Sequence, residues 1–90
     1  MTTTLDPTLS HTRGDTDQPL LTTTIGDNLA ATVARVGDND ALVDVEAGRR
    51  WTYNEFLSDV RRLASGLLRL GIRTGDRVGI WSPNRWEWTM

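Results

Sequence analysis

Between Thr52 and Trp81 the apolar positions keep helical spacing and then close up. From Tyr53 to Leu70 the residues Phe56, Leu57, Val60, Leu63, Ala64, Leu67, Leu68 and Leu70 recur with a helical period. At about 100° per residue they fill an arc of roughly 160°, while Ser58, Asp59, Arg61, Arg62, Ser65 and Arg69 take the other side. Thr52 and Glu55 form a T-x-x-E capping box, in which each side chain satisfies a backbone N–H that the first turn leaves unpaired. Gly71 can adopt the left-handed conformation that stops a helix, letting Ile72 fold back on the last turn. Gly75-Asp76 predicts a second turn, and Arg77 to Trp81 has the short apolar look of a buried strand. The stretch predicts a helix-then-strand unit of an α/β sheet.

Upstream, the pattern is weaker but ordered. Residues 1–23 are Thr-rich and polar, without an apolar run, and predict a disordered leader. A helix is expected from Ile25 to Val36, with Thr24 as N-cap, Asp27 at N3 and an apolar face of Ile25, Leu29, Ala30, Val33 and Val36. Gly37-Asp38-Asn39-Asp40 is a turn cluster. Ala41 to Glu46 then reads as a strand, Ala47-Gly48 as a turn and Arg49 to Thr52 as the returning strand of a hairpin. Downstream, Ser82-Pro83 turns the backbone, and Asn84-Arg85-Trp86-Glu87 repeats a capping pattern, with Asn84 as N-cap and Glu87 at N3. A further helix is announced that stops after about one turn, and the expectation is that Trp86 and Trp88 are left uncovered. On this reading the chain is cut at its C-terminal side.

Composition narrows the chemistry. Ninety residues allow one small domain at most. The absence of cysteine removes disulfides and thiolate metal sites. A net charge of −2 supplies no electrostatic reason for binding nucleic acid or an anionic membrane. All ten basic residues are arginine, so no phosphate-positioning or Schiff-base lysine exists in the chain. No apolar stretch suits a transmembrane segment, and the leader lacks the features of a secretory or transit peptide, which makes the cytoplasm the expected location.

The candidate functional residues have plainer structural readings beside them. His11 stands alone in the polar leader and is read as solvated, since a lone imidazole has no partner for metal or acid–base work. Arg49-Arg50 is a conceivable phosphate contact, but the solvated end of a hairpin is preferred. Arg61, Arg62, Arg69, Arg73 and Arg77 resemble a basic stripe, yet the first three lie on the polar helix face, with Asp59 three residues before Arg62 for a weak ion pair. Gly71, Gly75 and Gly79 match no nucleotide-binding glycine pattern and are read as punctuation. Asn84 follows an expected strand end, where α/β folds place ligands, but its capping role is preferred. No catalytic, cofactor-binding or metal-binding residue is assigned.

The opening helix followed by DALVD, the hairpin into RRWTYNEF, LASGLLRLGIRTGDRVGIW and SPNRWEW together resemble the N-terminal edge of the AMP-forming acyl-CoA synthetases, the fatty-acid–CoA ligases of the adenylate-forming superfamily. The resemblance runs from about Leu20 to Met90, and the NRWEW ending is most similar to the fatty-acyl branch. It implies an α/β fold: an incomplete N-terminal part of the large adenylate-forming domain, built as helix, β-hairpin, long amphipathic helix, strand and the start of a further helix. Residues 24–90 would be that fragment of an AMP-binding domain, truncated at the C-terminus, and 1–23 its leader.

In this family ATP activates a carboxylic acid as the acyl-adenylate, and coenzyme A then displaces AMP to give the thioester. The resemblance therefore implies ATP, Mg²⁺ and CoA for a full-length member, with a fatty or other carboxylic acid as substrate. The family's Ser/Thr/Gly-rich phosphate loop, its essential Glu, its ribose-binding Asp and its C-terminal lysine match nothing here. Thr22-Thr23-Thr24 lacks the glycines and lysine of a phosphate loop. The chain alone is expected to be inactive, with no cofactor of its own, and whether to class it as an enzyme stays open. Two alternatives remain: a small non-enzymatic interaction module that pairs through an open sheet edge, or a split-enzyme subunit completed by the missing remainder of the enzyme.

Overall fold

The computed structural model describes residues 6–90, in which three helices and two strands follow in the order α1 (Ile25–Val36), β1 (Asp40–Asp44), β2 (Arg49–Thr52), α2 (Tyr53–Arg69) and α3 (Trp86–Thr89). Residues 6–24 form neither helix nor strand, and the first five residues of the expected leader lie outside the described residues.

Local chemistry sets the first boundaries as the sequence predicts. Thr24 has extended backbone, and its hydroxyl accepts the Asp27 N–H at 3.1 Å. Asp27 at one end of α1 and Arg35 at the other both complement the helix dipole. Leu29, Ala30, Val33 and Val36 are partly covered, but Ile25, expected on the same face, is exposed. It sits in the first turn, before the helix reaches anything it can pack on.

The hairpin is antiparallel, with Asp40 opposite Thr52, Leu42 opposite Trp51, Val43 opposite Arg50 and Asp44 opposite Arg49. The register shifts between Asp40 and Leu42, so Ala41 sits at an irregularity. β1 starts one residue earlier than the alternation predicts and ends at Asp44 rather than Glu46. The turn claims Val45 and Glu46: Asp44 accepts the Ala47 N–H on its carboxylate at 3.0 Å, and Gly48, at φ +64°, donates to the Val45 carbonyl. A side-chain-stabilised turn wins over one more ladder rung because the latter would need a left-handed conformation at a residue other than glycine.

α2 is the longest element, and the backbone donors of its first turn are all engaged. The Thr52 hydroxyl accepts the Glu55 N–H at 3.2 Å while the Glu55 carboxylate accepts the Thr52 N–H at 3.1 Å, the reciprocal box predicted from sequence. The two N–H groups between them are also taken: Tyr53 donates to the Asn39 carbonyl and Asn54 to the Gly37 carbonyl, each at 3.0 Å. The turn after α1 is thus bonded directly to the start of α2. At the other end Gly71, at φ +96°, donates to Leu68 and Ile72 donates to Leu67, the paired bonds of a Schellman stop.

Two expectations about secondary structure fail in the last twenty residues. The Arg73–Asp76 turn forms, with Gly75 at φ +92° and the Asp76 carboxylate accepting the Arg73 N–H. Arg77 to Trp81, however, forms no strand, and Val78, Ile80 and Trp81 face solvent. A strand exists only through a neighbour's ladder, and the two-stranded sheet pairs only β1 with β2. Asn84 does not cap α3 either; the N-cap is Arg85, without a side-chain hydrogen bond, which places Glu87 at N2. Glu87 bonds Arg85 through two charged contacts instead, stronger than the single backbone contact of a cap.

The core is small. Trp51 at 4% and Phe56 at 9% exposure are its only buried apolar residues among those described. The radius of gyration is 18.6 Å, against about 12 Å for a compact domain of this length. No described helix is long and apolar enough to cross a membrane.

Candidate functional site

The densest constellation joins the hairpin to the end of the chain. Trp51 and Arg49 stand two apart on β2 and share one face of the hairpin. α3 brings Trp86 onto that face, with its ring centroid 5.0 Å from that of Trp51 and the planes tilted by 39°. The Arg49 guanidinium lies over both indoles, 4.6 Å from the Trp51 centroid and 4.5 Å from that of Trp86. Such a contact stabilises by about 0.5–1 kcal/mol when exposed and about 2 when desolvated. The Trp51 indole N–H is satisfied by the Asp59 carboxylate at 3.1 Å. Trp86, expected to be uncovered, is therefore partly buried; its companion Trp88 stays exposed.

Charge around the cluster is internally paired. Arg85 and Glu87 form a bidentate pair at 3.0 and 2.9 Å. The hydrogen bond from Arg85 holds the Glu87 carboxyl below its ordinary value, and Glu87 in turn raises Arg85, with Asp44 adding a smaller pull. Arg50 is paired with Asp40. Arg49 is exposed at the end of the hairpin, and the flat face of its guanidinium caps an aromatic pair. The sequence offered one signal for this cluster, the Arg-x-Trp spacing on a strand. The distance from Trp51 to Trp86 along the chain hides the rest.

The remaining candidates stay apart. His11 is exposed in the leader. Arg62 lies 3.9 Å from Asp59 across one helical turn, a weak exposed pair, and Arg61, Arg69, Arg73 and Arg77 are exposed. An open groove runs along the polar side of α2 past Ser58, Arg62, Ser65 and Trp86. It contains no paired nucleophile and base.

Two features bear on whether a nucleotide or a metal fits: the free N–H groups at a helix N-terminus and the convergence of carboxylates or imidazoles. The N-terminus of α2, the natural cradle for a phosphate, has all four of its first N–H groups engaged. The Thr24 hydroxyl is spent on Asp27. No three carboxylate or imidazole side chains converge among the described residues. The start of α2, the Thr24 hydroxyl and the described carboxylates therefore do not fit ATP and Mg²⁺, and no chemical step is derived through them.

Comparison with known proteins supplies what the geometry lacks. The family model described as AMP-binding enzyme matches residues 29–90. The medium-chain acyl-CoA ligase ACSF2, mitochondrial, of Danio rerio is 43% identical over 83 residues, covering 92% of this chain and 14% of its own length. The same-named protein of Mus musculus is 42% identical over 82 residues, 91% of this chain and 13% of its own. The acyl-CoA ligase sidI of Aspergillus fumigatus is 40% identical over 76 residues, 84% of this chain and 13% of its own. No solved structure matches. The chain spans about one-seventh of the length of these ACSF2 relatives. With a family match across more than half its residues and relatives above 40% identity over nine-tenths of it, this chain belongs to the AMP-binding enzyme family of acyl-CoA ligases.

Proposed function

We propose that this chain contributes the N-terminal part of the large domain of an ATP-dependent, AMP-forming acyl-CoA synthetase. The whole enzyme would activate a fatty or other carboxylic acid through its acyl-adenylate to the CoA thioester. The relatives' names narrow the acid to a medium-chain one. The observation that carries this reading is the 43% identity over nearly the whole chain with a medium-chain ligase.

The role proposed for these residues is architectural. The first four backbone N–H groups of α2 are all engaged, so this helix end offers no cradle for triphosphate. ATP, Mg²⁺ and CoA would be held by parts of the enzyme beyond these residues, and the chain alone would be inactive.

The test is a chimera of the Danio rerio ligase in which this chain replaces the 83 aligned residues. Octanoate-dependent exchange of pyrophosphate into ATP by the chimera is the expected result. A chimera that melts cooperatively yet exchanges no pyrophosphate with any carboxylic acid from acetate to palmitate overturns the proposal.

A further inference from the structure

Beyond the Schellman stop of α2, the strap of residues 73–90 has one helical turn of its own, α3. Among the described residues, no hydrogen bond or ion pair joins this strap to residues 6–69. Its bonds stay within it: Arg73 with Asp76, Ser82 with Pro83, and Arg85 with Glu87 and Trp88. A helix of four residues does not hold itself in water. The backbone of α3 comes close to β1 alone, and its Trp86 side chain reaches across to β2. There the two indole centroids and the Arg49 guanidinium form a near-equilateral triangle with sides of 5.0, 4.6 and 4.5 Å. Both cation contacts lie within the roughly 6 Å at which an indole face attracts a positive charge. The Arg49 side chain has no ion-pair partner among the described residues, so the two rings are what position it.

We infer that Arg49 is a latch: its guanidinium, laid over both indoles at once, holds Trp86 on Trp51 and so keeps the strap on the hairpin. The two rings are held unequally. Trp51 is buried and tied to Asp59 through its indole N–H, whereas Trp86 arrives on α3 and is only partly covered. A cation that touches both rings interacts better with the docked strap than with the detached one, where Trp51 alone remains. That difference is what shifts the equilibrium toward docking. Shape adds to charge, because a flat, weakly hydrated guanidinium stacks on a ring face where an ammonium holds its water. The latch also shapes the far side of the strap. Trp86 and Met90 complete the open groove along the polar side of α2, and release of the strap removes that wall.

Fluorine NMR of the 90-residue chain labelled with fluorotryptophan tests the latch. Trp86→Phe assigns the Trp86 signal, and a peptide of residues 82–90 gives its position when detached. Urea is raised until half of the wild-type strap is free, which should happen before the helical circular-dichroism signal is lost. At that concentration Arg49→Ala should lower the docked-to-free ratio about five- to thirtyfold, as two partly exposed cation–aromatic contacts disappear. Arg49→Lys, which keeps the charge and loses the plane, should recover part of that loss. Arg50→Ala makes the same change one residue on, at a position facing the other side of β2, and should stay within about twofold. The helical midpoint should not move with Arg49→Ala, because Trp51 keeps its bond to Asp59. Equal losses from Arg49→Ala and Arg50→Ala overturn the inference, as does an Arg49→Lys variant that recovers nothing. A Trp86 signal that Arg49→Ala leaves docked contradicts it too, and so does a wild-type signal already at the peptide's position. Strap and helix that always melt together overturn it as well, since Arg49 would then belong to the core.

Discussion

The two ends of α2 are built from the same kind of sequence and meet different fates. At the N-terminal end every backbone donor is bonded, Phe56 is buried, and the turn at Gly37–Asn39 is fastened to Tyr53 and Asn54. At the C-terminal end the helix stops cleanly, yet Leu68 and Leu70 face solvent. The hydrophobic pattern does not distinguish them. What differs is whether this chain carries the partner: the hairpin and α1 for one end, nothing for the other. An amphipathic stripe marks the positions a helix can bury, and here α1 and the hairpin reach only its N-terminal half.

Substitutions of tryptophan break or sharpen this contrast most. Trp51→Ala should cost about 3–5 kcal/mol, removing a buried ring, while Trp81→Ala should stay within about 0.5 kcal/mol in the chain alone, as exposed sites do. Urea unfolding followed by far-ultraviolet circular dichroism measures both, and equal effects would erase the distinction. Gly37→Ala comes next. A Cβ there would lie 2.7 Å from the Asn54 amide and 2.8 Å from the Val33 carbonyl oxygen. The backbone oxygen cannot swing away, so a loss of about 1–3 kcal/mol is expected in the same assay.

Capping gives a smaller, sharper comparison. Thr52→Ala removes one half of a formed box and should cost about 1 kcal/mol. Asn84→Ala removes a side chain that caps nothing and should change the helical signal and midpoint negligibly.

The smallest effect is electrostatic. Glu87 titrates below its ordinary 4.5 because Arg85 hydrogen-bonds its charged form. A depressed carboxyl contributes its share of stability above its unfolded pKa and loses it as pH falls through the folded one. Acidification below about 4.5 should therefore release Arg85 from Glu87 before it disturbs the Arg49–Trp51–Trp86 stack, which has no carboxylate among its three members. Carbon-detected titration of the Glu87 carboxyl gives the midpoint, and tryptophan fluorescence reports the stack.

These cases also show why some of the fold was legible in the sequence. Thr24, the Thr52–Glu55 box, Gly71 and Gly75 act within four or five residues of themselves, so spacing alone predicts their hydrogen bonds. The hairpin was legible except for its end, where the Asp44 carboxylate competed with the ladder. Trp51 and Trp86 meet across 35 positions, and no periodicity announces that. Asn84 misled because a capping pattern is necessary rather than sufficient: the Arg85–Glu87 pair redirected the turn. Val78 to Trp81 has a strand's composition without a strand's neighbour. As for chemistry, the absence of lysine and the lack of any phosphate-loop pattern were visible residue by residue. The occupied N–H groups at the start of α2 emerged only from the structure.

Incubating the purified 90-residue chain with Mg-ATP, radiolabelled pyrophosphate and octanoate tests the account at its centre. No acid-dependent label should enter ATP above a protein-free control, at any chain concentration. Incorporation that rises in proportion to the chain, and disappears when octanoate is withheld, would mean that these residues handle triphosphate after all.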